Sequence, residues 1–189
     1  SINRLVIIAS LTSFGLAAVS TVWALYLEYF LKNQSYVGYL SSFFTIIGLL
    51  SYFFLIPIIE KNNKATLYAF ALIMYVLSYI AFAFLTNLYL VIMLGIILAV
   101  FASLRITTFG IMVRDKSSNK SLSENEGEIY TSFNIAWLIG PLLAGFLAQK
   151  YGLNKVFLMA AFFMALSLTL FKIFKMNDNR KEKKADSST

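Results

Sequence analysis

Six apolar runs fill this sequence, each long enough to cross the roughly 30 Å hydrocarbon core of a bilayer, which takes about 20 helical residues. They cover about 5–31, 36–59, 65–85, 88–113, 125–149 and 155–174. Each stops at charges or turn formers: Lys32-Asn33-Gln34-Ser35, then Glu60 to Lys64, then Thr86-Asn87, then Arg114 to Glu124. The pattern predicts an all-α integral membrane domain over 1–175, with a polar cytoplasmic tail over 176–189. The first run is nearly twice the length of a secretory signal core, about 7–15 residues, so it reads as a retained span.

Composition narrows the function. Only 13% of the residues are charged, about half the usual share in a soluble domain. The chain has no Cys and no His, which removes disulfides, thiolate nucleophiles, Cys/His metal sites and histidine acid/base chemistry. There is no G-x4-G-K-[ST] phosphate loop, and no cluster of nucleophile, base or metal ligands, so we expect no enzyme and no cofactor. The net charge of +7 invites comparison with nucleic-acid binders, but its basic residues sit at span ends and in the tail.

Those positions also orient the chain. Arg4, Lys61, Lys64, Arg114, Lys116, Lys120 and six basic residues from Lys172 to Lys184 share one face, against Lys32, Lys150 and Lys155 on the other. The positive-inside rule then makes both termini cytoplasmic, in a multi-pass protein of the plasma (cell inner) membrane.

Polar and small residues on a spanning helix mark the faces turned to protein or water. Ser13, Ala17, Ser20, Ala24 and Glu28 recur at helical spacing in the first run, and Gly38, Ser41, Thr45, Gly48 and Tyr52 in the second. The second set, Gly38, Ser41, Thr45 and Gly48, reads as a helix-packing interface. Runs three and six lack such stripes and read as outer, lipid-facing helices.

Arg105 lies about 13 Å from the end of its run, near the bilayer middle, where a cation either snorkels or faces an aqueous cavity. Glu28 is the acidic residue deepest in any run; it pairs with Lys32 four residues on, or carries a proton. Glu60, Glu124, Glu126 and Glu128 are the other acids near a span, and the last three also suit a helix N-terminus. Trp23 and Tyr26 read either as interfacial aromatics or as ligand contacts, and Asn134 as a buried interhelical hydrogen bonder or a cavity group. Pro141 after Gly140 allows a bend.

The stretch Asn134-Ile135-Ala136-Trp137-Leu138-Ile139-Gly140-Pro141-Leu142-Leu143-Ala144-Gly145 resembles the fifth-helix motif of the major facilitator superfamily, G-x3-G-P-x2-G-G. Ala136 and Ala144 stand in two of the glycine places. The loop after the second span resembles in part the family's G-x3-D-R-x-G-x-R-R motif. Glu60 takes the Asp place and Lys61 the basic one, while Ile56 and Asn63 replace glycines. Arg114-Asp115 resembles the charged region that packs near that loop. The family's arginine early in the fourth helix is absent, and Arg105 stands too late to replace it directly.

The resemblance implies one half of a twelve-span fold, itself two inverted three-helix repeats, with spans one and four lining a cavity. Six spans fit either a homodimer or one half of a longer protein. The expected function is secondary active transport of a small organic solute, exporter-like and cation-coupled, with Glu28 and Arg105 as leading site residues. Sugar or metabolite uptake, or a non-transporting scaffold, are the alternatives. The expected partners are the lipid bilayer, the solute, and a second copy or the other half.

Overall fold

A computed structural model describes residues 2–117 and 121–176. It contains six α-helices: α1 (Ile2–Leu31), α2 (Gln34–Lys61), α3 (Lys64–Phe84), α4 (Leu88–Lys116), α5 (Leu122–Tyr151) and α6 (Leu153–Ile173). All six are long and apolar enough to cross a membrane. Lys120 and the basic tail residues 180–184 lie outside the described residues.

The connections are short and locally encoded. Asn33, Asn63 and Asn87 each cap the following helix, their side-chain oxygens accepting from the N–H of Ser35 (2.9 Å), Thr66 (3.0 Å) and Tyr89 (2.8 Å). Such caps satisfy backbone donors that the first helical turn leaves free. Gly152 joins α5 to α6 at φ +88°, a left-handed conformation that a side chain would strain.

Most of the helix contacts repeat between the two triplets, although α5 packs on α6 and α2 scarcely touches α3. α1 packs along α5 and α6, while α4 packs along α2 and α3, so exchanging the first triplet of helices for the second maps one set of contacts onto the other. The α3–α6 contact maps onto itself and forms the central seam. Rings fill that seam: Tyr68 lies 5.1 Å from Phe171, and Phe82 lies 5.6 Å from Phe157, centroid to centroid.

That seam refines one expectation. α3 and α6 were expected to face lipid because they lack polar stripes; each buries one face, including Tyr68, Leu72, Tyr75, Tyr79 and Phe82 on one and Phe157, Ala160 and Met164 on the other, and leaves another exposed, with Phe70, Leu77 and Phe84 on α3 and Phe162 and Ile173 on α6. Lipid tails are as apolar as a neighbouring helix, so an all-apolar helix carries no signal of which side it turns inward. The broadest apolar exposure lies instead on α2 and α5, where Phe53, Phe54, Leu138 and Leu142 are all at least 68% exposed.

Candidate functional site

A cavity of about 620 Å³ opens where α1, α4 and α5 diverge, in the half of the bundle that carries the N-terminus. Thr12, Ser13, Leu16 and Ser20 of α1 form one wall, and Arg105, Ile106, Phe109, Gly110 and Val113 of α4 another. Glu126, Ile129, Tyr130, Phe133 and Trp137 of α5 form the third, and Tyr68 of α3 closes the back. The lining is mostly apolar, with one cation and one carboxylate.

Helical spacing aligns these groups. Arg105, Phe109 and Val113 are spaced by four, and Glu126, Tyr130, Phe133 and Trp137 by four, three and four, so each series lies on one face. Behind the α1 wall, the hydroxyls of Thr12 and Ser167 are 2.8 Å apart, and Thr12 also donates to the Ile8 carbonyl at 2.8 Å. This pair ties α1 to α6 and holds Thr12 at the cavity edge.

Arg105 is the most unusual group in the wall. Its guanidinium carbon lies 5.5 Å from the centre of the Tyr75 ring, a cation–π arrangement. Its Nε is buried and has no hydrogen-bond partner among the described residues. The ionisable groups acting on it are Tyr75, Tyr68 and Tyr79, with no carboxylate among them.

The other sequence candidates are not gathered there. Glu28 is half-buried near the opposite end of α1, 16 residues beyond Thr12 and so roughly 24 Å away along the axis. Its expected side-chain pair with Lys32 is absent among the described residues, because α1 ends at Leu31 and Lys32 adopts φ 52°, outside helical register. Trp23 and Tyr26 belong to a ring cluster at that same end. Trp23 lies 5.3 Å from Phe82 and 6.1 Å from Phe44, and Tyr26 lies 4.7 Å from Phe157. The Tyr26 hydroxyl donates to the Phe82 carbonyl at 3.0 Å. Asn134 is exposed rather than buried, since it lies two residues, about 200° of helical turn, from the buried Ala136.

On α2 the Gly/Ser stripe is tied to a partner helix at Gly48. Ser103 of α4 donates to the Gly48 carbonyl at 2.7 Å, whereas Gly38 and Thr45 are exposed and Ser41 is half-buried.

The family model for the Major Facilitator Superfamily matches residues 5–189. The chain belongs to the major facilitator superfamily. It is also 26% identical over 143 residues to the MFS-type transporter ppzB of Metarhizium rileyi (strain RCEF 4871), a match that covers 74% of this chain and 30% of that protein. The chain therefore spans about a third of the length of this curated relative. The major facilitator superfamily is a transporter family, not an enzyme family.

The superfamily motif on α5 has a clear steric meaning here. Ala136, Gly140 and Ala144, spaced by four, are the buried residues of α5. Gly140 sits so close to α1 that a Cβ on it would lie 2.8 Å from the Ala17 Cβ. The two alanines thus occupy the contact face that the motif's glycines would, and this helix pair tolerates a methyl at both. Gly145 points elsewhere, with nothing within 4 Å of a Cβ built on it. Of the other motif residues, Glu60 and Lys61 are exposed at the end of α2, and Arg114 and Asp115 are exposed in the last turn of α4.

Thr12, Tyr68, Phe133 and Trp137 line the cavity without having stood out in the sequence. Ser13 of the α1 stripe was the only hint to Thr12. Tyr68 was hidden by the lipid-facing reading of its helix.

Proposed function

We propose that this chain is one six-helix half of a secondary active transporter that moves a small organic solute by alternating access, with the cavity between α1, α4 and α5 as its half of the solute pathway. The observation that carries this reading is Arg105, a cation with no ion-pair partner among the described residues, set in a mostly apolar cavity wall at mid-membrane depth. Charged groups inside a membrane are costly and mark pathways.

The cavity opens on the side of the N-terminus, which the positive-inside rule places in the cytoplasm, so in this state it exchanges solute with the inside, and the direction we assign is export across the plasma membrane. Cation coupling needs a group that can hold the cation, and Glu126 is the carboxylate among the described residues of the cavity lining. Glu28, at the far end of α1, then serves the outward-facing state. The exposed apolar faces of α2 and α5 meet a second six-helix half, which closes the pathway from the other side.

The test is flux in liposomes combined with native mass spectrometry in nanodiscs. A species of twice 21.3 kDa with proton-dependent flux supports a homodimer. Flux that appears only when a separate six-helix half is co-expressed supports a two-part transporter. An unchanged, flux-free assembly in both settings refutes transport and leaves a scaffold.

A further inference from the structure

Arg105 and the rings around it specify what kind of solute the cavity takes, on the reading of that cavity as the solute pathway. The Arg105 guanidinium is half-buried in the cavity wall, and Tyr75, through its ring at 5.5 Å and a side-chain hydrogen bond, brings it no formal counter-charge. Its Nε donor is buried and unused, and tyrosines, not carboxylates, are the ionisable groups acting on it. Guanidinium presents paired N–H donors in one plane, the geometry that a carboxylate accepts with both oxygens.

Beyond Arg105 the α4 and α5 walls carry Phe109, Phe133 and Trp137 with Ile106 and Ile129, which suit a flat apolar body, while Thr12, Ser13 and Ser20 put hydroxyls on the α1 wall. Glu126 in the same lining repels a second negative charge. The volume of about 620 Å³ falls within the range of about 300–1,000 Å³ typical of small-molecule pockets. We propose that the cavity binds an organic monoanion, a carboxylate on an aromatic or otherwise apolar body, with the carboxylate on Arg105 and the body against Phe109, Phe133 and Trp137.

The chain has two tryptophans, and only Trp137 lines the cavity, so Trp23→Phe leaves a single reporter at the site. Nanodiscs holding this variant are titrated with 2-naphthoate, 2-naphthylmethanol and 2-naphthylmethylammonium, three probes of one shape and three charges, with empty nanodiscs correcting for lipid partitioning. The expected result is 2-naphthoate bound at least about tenfold more tightly than the alcohol, the ordinary worth of a charge-assisted hydrogen bond. Arg105→Gln removes that preference, and Arg105→Lys keeps part of it.

Equal binding of acid and alcohol, tightest binding of the ammonium probe, or indifference to Arg105→Gln overturns the proposal. Should Arg105→Gln fail to assemble, the three-probe comparison on the Trp23→Phe protein decides by itself. The outcomes separate this proposal from transport. Selective 2-naphthoate binding without flux keeps the anion site and removes the transport reading. Flux of the neutral alcohol that ignores Arg105→Gln does the reverse.

Discussion

Two glycines that look alike in the α5 motif are set apart by their surroundings, and the difference can be measured. A methyl added at Gly140 would lie 2.8 Å from the Ala17 Cβ, about 1 Å inside ordinary carbon–carbon contact, and Ala17 is too short to swing aside. α5 must therefore retreat along its longest helix contact, an overpacking cost of about 1–3 kcal/mol. Replacing glycine in a helix returns up to about 1 kcal/mol of propensity, so Gly140→Ala should lose about 1–2 kcal/mol. Gly145→Ala meets nothing and should be neutral or gain up to about 1 kcal/mol. The expected separation between the two variants is about 2 kcal/mol.

Unfolding of the purified chain by sodium dodecyl sulfate in mixed micelles, followed by far-ultraviolet ellipticity, measures it. The decisive variant is the double change Ala17→Gly with Gly140→Ala. It deletes the clashing atom and leaves contacts of 3.6 Å to the Ala18 nitrogen and the Phe14 carbonyl, which are ordinary. A favourable coupling of about 1–2 kcal/mol is expected between the two sites. Additive effects, or a Gly145→Ala variant weaker than Gly140→Ala, would refute the steric argument.

Thr12→Val breaks the 2.8 Å contact with Ser167 between α1 and α6, and should cost about 0.6–1.7 kcal/mol in the same assay, with Ser167→Ala adding little more in combination. Tyr26→Phe frees the Phe82 carbonyl in the last turn of α3 and should cost about 0.5–1.5 kcal/mol while leaving 2-naphthoate binding unchanged. Because the chain has no cysteine, single replacements report access directly. Ser20→Cys should be shielded from a maleimide by 2-naphthoate, and Gly38→Cys, exposed on α2, should not.

What the sequence made legible follows from the range of the forces involved. Asn33, Asn63 and Asn87 could be seen as turn residues because capping acts within three residues. Arg105 drew attention because a cation within an apolar run is costly wherever the helix turns. Tyr68, Phe133 and Trp137 could not be singled out, since whether an apolar ring faces lipid, core or cavity depends on neighbours distant in the chain. The same ambiguity covered Trp23 and Tyr26, which pack into the core, and Asn134, whose polarity suggested a buried partner that the α5 contact face does not supply.

The bundle is hollow at one end and filled with rings at the other, where Trp23, Tyr26, Phe44, Phe82 and Phe157 meet. Water entering the hollow end carries the electrical potential of its own side inward to Arg105, while the rings beyond exclude it. With water filling the hollow end, the membrane voltage would fall mainly across the ring cluster instead of the full bilayer thickness. One charge carried past that cluster exchanges nearly the whole of it, about 2.3 kcal/mol per 100 mV. On the proposed reading, a monoanion moving outward from a negative cell interior would be driven by that field, with the steepest part of its path just beyond Arg105.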